Sequence, residues 1–420
     1  MTNVLCSADG HVIEPTDLWS TRLPKNLRDR ALRVEHFGHY QDLFVPDGNR
    51  FSAGRFRHLD TGELIDDRLS DLAASVTRRL RDLDADGVWG EVIYPNYGML
   101  MFVPDHEVAM AHAQVYNDYL VEAFGAHGDR LVPIAAIPLT NVDDAVAEVE
   151  RVARMGLRGI MIPTQPPQPY GSNVYDRVWA AAQAHGLPVT FHVGTGFNTE
   201  EEQGKSGNFK EAVSKAIMNA GAAAQPSRSS VDPFVLRMLQ QNELSAAAQR
   251  VVVSLVGSGV LERFPKLHFV GVEFDAYWLA SVMASMDSAC TLGIGIDDSW
   301  EAGIFDHSRP ANDQPTMMKA FGMNSRWPYP LRPSEYVRRQ VHVTFMHDPT
   351  AIALRNVTGV DALLWGADYP HAEGTWPRSH EALEQQFAGV SAADTAAITG
   401  GTTARLFGMK APPQRVAARA

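Results

Sequence analysis

Eight short apolar runs recur along the 420-residue chain, and amphipathic stretches separate most of them. Short apolar segments without alternation are typical of parallel strands, because helices cover both faces of such a sheet. Eight of them predict an α/β fold, a distorted (β/α)8 TIM barrel. The runs are Val4–Ala8, Gly90–Tyr94, Leu131–Ile137, Gly159–Ile162, Pro188–Phe191, Leu267–Val272, Val341–Phe345 and Ala362–Gly366.

The chain is longer than such a barrel needs. A typical barrel uses about 250 residues, so we place loop and helical insertions near residues 10–78, 194–245 and 291–339. They belong to a single domain over residues 1–410, and residues 411–420 form a flexible tail. Gly204–Asp232 is rich in small and polar residues, which predicts a mobile loop or lid. The third insertion has aromatic residues to fold over a pocket or meet another subunit: Trp300, Phe305, Trp327 and Tyr329.

Charge and cysteine content limit the function. A formal net charge of −12 argues against a nucleic-acid surface, which needs a concentrated basic footprint. The two cysteines, Cys6 and Cys290, provide no disulfide framework, which suits a reducing compartment. The N-terminus lacks the pattern of a secretory signal, and the run Leu131–Leu139 is far shorter than a membrane helix of about 20 residues. We therefore expect a soluble cytoplasmic protein that acts on a small molecule, not on nucleic acid or membrane.

Ionisable residues follow four of the predicted strands. Asp9 and His11 follow the first run, and His192 follows the fifth. Glu273 follows the sixth run and Asp368 the eighth. In barrels of this class the active site lies at the carboxyl ends of the strands, so two histidines and three carboxylates should meet there.

This mixture of side chains suits a divalent transition metal. Imidazole nitrogen and carboxylate oxygen are ligands that Zn, Fe and Mn accept. Asp9 and His11 are two residues apart, so on extended backbone their side chains share a face. Each residue alone has a structural explanation, as a core histidine, a helix cap or a turn residue. Their joint occurrence at four strand ends favours a metal site.

The same residues carry a family resemblance. The parts that carry it are Asp9-Gly-His-Val-Ile-Glu-Pro15, His192, Glu273, Trp365-Gly-Ala-Asp-Tyr-Pro-His371 and the closing Gly401–Gly408 segment. They resemble the amidohydrolase-related family, in its branch of proteins like aminocarboxymuconate-semialdehyde decarboxylase. The resemblance implies one metal ion held by Asp9, His11, His192 and Asp368, with Glu273 as a further ligand where the family commonly has histidine. A carboxylate at that strand end can bridge two ions, so a second ion stays open. The family likeness also implies a homodimer.

Further residues are candidates around this site. His371 lies three residues after Asp368 and either orients that carboxylate or acts as an acid or base. Other side chains near strand ends either line the substrate pocket or only pack in the core: Tyr94, Asn96, Trp278, His347 and Trp376.

The leading functional hypothesis is hydrolysis. A metal-activated water would attack the carbonyl of an amide, ester, lactone or thioester, with Asp368 accepting the proton and His371 supporting the oxyanion. The first alternative is non-oxidative decarboxylation of an aromatic or unsaturated carboxylic acid with the same ligands. The second alternative is a non-catalytic binding protein on the same fold.

Overall fold

The computed structural model describes residues 4–58, 60–65, 72–196, 233–291, 327–410 and 412. The strands within them are β1 (Leu5–Ser7), β2 (His11–Val12), β3 (Arg33–Phe37), β4 (Tyr40–Phe44), β5 (Arg50–Gly54), β6 (Val88–Pro95), β7 (Leu131–Pro133), β8 (Ala135–Ala136), β9 (Ile160–Ile162), β10 (Val189–His192), β11 (Phe269–Val272), β12 (Val341–Phe345) and β13 (Leu363–Trp365). The helices are α1 (Leu18–Arg22), α2 (Leu72–Ala85), α3 (His106–Phe124), α4 (Val142–Arg154), α5 (Asp176–Ala184), α6 (Pro233–Gly257), α7 (Val260–Arg263), α8 (Trp278–Thr291), α9 (Pro333–Gln340), α10 (Pro349–Ala353), α11 (Arg355–Thr358), α12 (Ser379–Gln386), α13 (Ala392–Ala396) and α14 (Thr402–Phe407).

Parallel strands form a closed barrel. β1 pairs with β6 and β6 with β7, and β8 to β13 pair in chain order. β7 and β8 are two parts of one run, interrupted only at Ile134. The ring closes where Ala8 N donates to Trp365 O at 2.9 Å and Asp368 N donates to Asp9 O at 2.9 Å. Each of the eight predicted runs overlaps a strand, so the predicted barrel architecture is confirmed.

The strands are apolar because both of their faces are covered. Every residue of β10, β11 and β12 is buried. Helices pack on the outside, and α4 contributes Val149 and Val152 to the buried face. Asn141 begins α4 by accepting hydrogen bonds from the backbone N–H groups of Asp143 and Asp144. The barrel therefore supplies a rigid frame, and its strand ends have little freedom to move.

The first insertion contains a small sheet that the sequence did not indicate. β3, β4 and β5 form an antiparallel meander, with Arg33 opposite Phe44 and Tyr40 opposite Gly54. Their residues are mostly partly buried or exposed, so the apolar alternation that marks a strand is weak. We refer to these three strands as the roof sheet, because they cover the open end of the barrel.

The other two insertions lie largely outside the described residues. The predicted lid at 204–232 lies outside the described residues, as do Trp300 and Phe305. Trp327 and Tyr329 pack on each other with ring centroids 4.9 Å apart. In the described part of the chain, no helix is both long and apolar enough to cross a bilayer. The domain limits and the tail stay predictions.

A buried ion pair holds α2 against the barrel. The Arg79 guanidinium donates to the Glu91 carboxylate of β6 and to the backbone carbonyl of His11. Gly10 lies against the same carboxylate, and a Cβ at this position would overlap Glu91. A larger residue between Asp9 and His11 would therefore displace the Glu91 carboxylate, and the Arg79 contact fixes the backbone that carries both side chains.

His112 connects α3 to the segment before the roof sheet. Its Nδ1 donates to Val108 O at 2.7 Å, and its Nε2 accepts from the Leu32 backbone N–H at 3.1 Å. Burial lowers the pKa of His112 to about 4, against the hydrogen bond to Val108, which raises it. The fold thus holds this imidazole in its neutral form.

We expect the contribution of His112 to stability to decrease in acid. Above pH 6.5 the imidazole is neutral in both states, and its full contribution is present. Between pH 6.5 and about 4 the unfolded chain binds the proton and the folded protein does not. The free energy of unfolding of the wild type, relative to His112→Gln, should fall by about 3 kcal/mol over this interval, which denaturant titrations at several pH values would measure. His127→Gln, at a turn beside α3, is the control. If the difference in free energy of unfolding between the wild type and His112→Gln did not change with pH, His112 would not be held neutral by the fold.

Candidate metal centre and active site

Strand ends bring the predicted ligands together at one end of the barrel. The Asp9 Oδ1 atom lies 3.7 Å from His11 Nε2 and 3.7 Å from His192 Nε2. His11 Nε2 lies 3.2 Å from Asp368 Oδ1, and His192 Nε2 lies 3.5 Å from Glu273 Oε2. Two ligands that bind one ion at about 2.1 Å lie roughly 3 to 3.5 Å from each other, which is close to this spacing.

Backbone carbonyls set the orientation of both histidines. His11 Nδ1 lies 2.9 Å from Pro95 O, and His192 Nδ1 lies 3.0 Å from Val193 O. A carbonyl oxygen only accepts hydrogen bonds, so each Nδ1 carries the proton. The Nε2 lone pair of each ring is then directed at the carboxylates. Metal-binding histidines commonly have this arrangement.

The polar atoms around this point are buried and lack hydrogen-bond partners within the described part of the chain. An unpaired buried polar atom costs about 1–3 kcal/mol, and a cluster of them indicates a ligand that the protein atoms do not supply. A divalent cation satisfies nitrogen lone pairs and carboxylate oxygens at once, so the donor set fits such an ion. The atoms are Asp9 Oδ1, His11 Nε2, His192 Nε2, both carboxylate oxygens of Asp368 and His371 Nδ1.

The pKa values of these groups show how strongly they interact. Burial would raise the pKa of Asp368, but His371 and His11 outweigh this effect and hold it well below its usual value. Burial lowers the pKa of His11, and the neighbouring His371 lowers it further. Burial raises the pKa of Glu273 well above its usual value, and the Asp368 and Asp9 carboxylates add to the effect. Negative charge is concentrated here, which favours a cation.

His371 lies between the metal-ligand candidates and the pocket. Its Nδ1 is 3.0 Å from Asp368 Oδ1, and its Nε2 is 3.0 Å from Asn96 Oδ1. The ring stacks on His11 on one face and on Phe56 on the other, at centroid distances of 4.1 and 5.3 Å. Burial would lower the pKa of His371, but the Asp368 carboxylate raises it above the usual value. An amide oxygen accepts from Nε2, so Nδ1 is the atom that faces Asp368.

Glu14 has a supporting role that the sequence analysis missed. Its buried carboxylate accepts hydrogen bonds from the backbone N–H groups of Asn96, Tyr97 and Gly98, at 3.2, 2.9 and 3.0 Å. Burial raises its pKa to about 7, while these hydrogen bonds lower it. Glu14 therefore fixes the turn that presents Asn96 to His371. The signal for this role in the sequence was the position of Glu14 inside the opening motif, Asp9–Pro15.

Two of the site carboxylates sit on strained backbone. Glu273 has a φ of 63° and Asp368 a φ of 56°, in the left-handed region that L-residues rarely adopt. Hydrogen bonds hold both in place, from Glu273 N to Thr344 Oγ1 at 2.9 Å and from Asp368 N to Asp9 O. Strain of this kind costs on the order of 1–3 kcal/mol and concentrates at functional sites.

A cavity of about 420 Å³ opens above the cluster, which suits a small molecule. Its base has the polar groups of His11, His192, Glu273, His371 and Asn96. The roof sheet and the segment that follows it supply one side, and the loop after β6 supplies another. The wall residues from these parts are Gln41, Leu43, Ala53, Gly54, Phe56, Tyr97, Met99 and Leu100.

Of the five further candidates near strand ends, only Asn96 lines this cavity as described. Tyr94 is fully buried below it, with its ring centroid 5.2 Å from that of His192. Trp278 is buried and donates its indole N–H to Phe274 O and Asp275 O. Trp376 packs edge-on against Tyr369 and His58. His347 follows β12 but is not part of the described wall, because the chain turns there into α10.

Comparison with known proteins decides the family. The family model described as Amidohydrolase matches residues 95–290 and 301–409, which is more than half of the chain. This chain belongs to the amidohydrolase family. Gamma-resorcylate decarboxylase from Rhizobium radiobacter is 28% identical over 174 residues, which cover 40% of this chain and 50% of the relative. The matched segment thus spans about half the length of that curated relative.

Solved structures agree on the fold. An amidohydrolase from Mycobacterium avium subsp. paratuberculosis K-10 superposes with a TM-score of 0.71 at 20% identity, covering 98% of this chain and 99% of its own. A dihydroxybenzoic acid decarboxylase from Polaromonas sp. JS666, solved with manganese and 2-nitroresorcinol, superposes with a TM-score of 0.59 at 16% identity and covers 97% of both chains. The family match confirms the resemblance found in the sequence motifs, and these structures confirm the fold.

The leading hypothesis of hydrolysis is wrong. The curated relative is named as a decarboxylase, which favours the first alternative. The sequence could not distinguish the two reactions, because both use one barrel and nearly one set of ligands. The binding-protein alternative has no support from these relatives, which are enzymes.

We expect the purified protein to contain a divalent transition metal and the His192→Ala variant to bind it at least about tenfold more weakly. The substitution removes one Nε2 lone pair from the cluster. Elemental analysis after dialysis would measure the metal content of each. His185→Ala is the matched control, because that histidine pairs with Glu150 on the surface. Equal metal loss from both variants, or none from either, would contradict the site.

Proposed function

We propose that the protein is a metal-dependent decarboxylase, which removes carbon dioxide without oxidation from a small hydroxyaromatic carboxylic acid. The observation that carries the proposal is the buried cluster of unpartnered ligand atoms at the base of a small cavity. The names of the relatives support the reaction class and suggest dihydroxybenzoates as substrates.

Asp9, His11, His192 and Asp368 would hold the metal ion. When bound there, a divalent cation would attract the substrate's carboxylate and a neighbouring oxygen, and it would stabilise negative charge on them. Leu43, Phe56 and Leu100 in the wall offer apolar surface to an aromatic ring. The ring would therefore lie against these wall residues, with its polar groups at the base.

The reaction needs one proton at the ring carbon. When the bond to the carboxylate breaks, carbon dioxide leaves and the electron pair stays on the carbon, which then takes the proton. Asp368 Oδ1 lies 3.0 Å from His371 Nδ1 beside the cavity, and Asp368 holds the pKa of His371 above its usual value. This pair is the candidate proton source, and the roof sheet would limit access of water.

We expect the metal-loaded protein to convert 2,6-dihydroxybenzoate to resorcinol with one equivalent of carbon dioxide. In Asp368→Asn the rate should fall by about 10²–10⁴, because the variant loses a ligand charge and the partner of His371. Asp129→Asn, at a surface carboxylate paired with Lys410, is the matched control. Circular dichroism would verify that both variants fold. Cleavage of hydroxybenzoate esters to the free acid and an alcohol, with no carbon dioxide from any free hydroxybenzoate tested, would contradict the decarboxylase.

Asn96 provides a separate test of His371. In Asn96→Leu the Nε2–H of His371 loses its acceptor, and kcat should fall by about 10- to 100-fold with metal content unchanged. In Asn96→Asp the acceptor stays, and the added negative charge raises the pKa of His371 further. Activity that needs protonated His371 is present below this pKa and is lost above it, so the alkaline limb of kcat should move to higher pH. Identical pH profiles in wild type and Asn96→Asp would rule out His371 as the acid.

A further inference from the structure

One side chain of α2 contacts both chain segments that carry candidate metal ligands. The buried Arg79 guanidinium donates a hydrogen bond to the backbone carbonyl of His11. It also lies over the ring of Tyr369, with 4.8 Å between the guanidinium carbon and the ring centroid. Tyr369 directly follows Asp368 in the chain. Arg79 therefore connects the first segment of the site with the last one, although an arginine gives no ligand atom to a cation.

His11 is held by three directional contacts. Its backbone N–H donates to Tyr369 O at 2.6 Å, and its backbone carbonyl accepts from Arg79. Its ring Nδ1 donates to Pro95 O at 2.9 Å. The Nε2 lone pair is thereby directed at Asp368 Oδ1, which lies 3.2 Å away. Of the three partners, only Arg79 binds through a side chain, so it is the one that a substitution can remove.

The position of Arg79 is itself fixed from two sides. Its guanidinium also donates to the buried carboxylate of Glu91 on β6. The Tyr369 hydroxyl donates to Asp82 Oδ2 of α2 at 3.0 Å, which holds the ring over the guanidinium. Burial raises the pKa of Glu91 to about 7, while Arg79 lowers it. The hydrogen bond does not require an ionised Glu91, because a protonated carboxyl group keeps an oxygen that accepts.

We propose that Arg79 is a positioning residue of the metal centre, which sets the spacing between His11 and Asp368 by binding both segments at once. This inference rests on the metal centre of the proposed function and not on the reaction that takes place there. Replacing a residue that orients a metal ligand typically weakens metal binding by about 10- to 100-fold. Lysine is not equivalent to arginine here, because an ammonium group has neither the planar face nor the fork of donors.

The alternative is that Arg79 only docks α2 on the barrel, and Arg130 separates the two explanations. The Arg130 guanidinium donates to Asp84 of α2 at 2.6 Å and to Trp89 O of β6 at 2.6 Å. It lies over the Trp89 ring at 4.5 Å from the centroid. Both arginines thus bind a carboxylate, a backbone carbonyl and an aromatic ring. Arg130 does so near the beginning of β6, away from the candidate ligands at the other end of the strand.

The test uses the whole protein, freed of metal, and Mn²⁺ alone. In Arg79→Met we expect the affinity for Mn²⁺ in equilibrium dialysis to fall by about 10- to 100-fold. The electron paramagnetic resonance spectrum of the bound ion should change as well, because the ligand geometry is less restricted. Arg79→Lys keeps the charge and one donor, so it should lose affinity to a smaller extent. Arg130→Met, the matched control, should lose stability to denaturant but keep the wild-type Mn²⁺ affinity and spectrum.

The outcomes separate this inference from the proposed function. Wild-type affinity and spectrum in both Arg79 variants, or equal losses of affinity in Arg79→Met and Arg130→Met, would overturn the positioning role. Decarboxylation by the wild type would then still stand. If Arg79→Met does not fold, the comparison of Arg79→Lys with the wild type decides in the same way. A protein that binds Mn²⁺ with the expected dependence on Arg79, but releases no carbon dioxide from any tested acid, would keep this inference and remove the decarboxylase.

Discussion

The closure of the barrel between its first and last strands determines the rest of the structure. A backbone hydrogen bond of 2.9 Å joins Asp368 N to Asp9 O, although these residues come from opposite ends of the chain. Gly366 lies against Asp9 so closely that a Cβ there would be 2.5 Å from the Asp9 Cβ. Two carboxylates are thus held next to each other in a buried place, which is unfavourable unless positive charge compensates them. The case for a cation at this end of the barrel rests on this constraint.

Much of the fold could be predicted because the barrel strands have a clear signal. They are buried on both faces, so their apolar runs stand out, and the residue after each run lies at the functional end of the barrel. His192 illustrates the point, since a histidine directly after Val-Thr-Phe can only lie at that end. The proposed roles of the site residues, the homodimer and the cytoplasmic location stay predictions, because they depend on contacts beyond a single chain or on chemistry.

Other features had no local signal. The roof sheet has polar strands whose partners are defined only by pairing, and Phe56 reaches His371 across more than half of the sequence. Glu14 looks like a surface residue until the turn at 96–98 wraps around its carboxylate. The choice between hydrolysis and decarboxylation was also beyond the sequence pattern, because the ligands are shared and the difference lies in which atom of the substrate receives the proton.

The roof sheet contributes to the pocket in a different way from the barrel. It provides Leu43, Ala53 and other wall residues, but none of the residues in the potential ligand groups of the described chain. The roof-sheet residues that shape one side of the pocket and the candidate metal ligands therefore come from separate stretches of the chain. Related proteins with the same strand-end residues can therefore differ in the substrates that they accept by exchanging the roof sheet, while the candidate metal ligands stay the same.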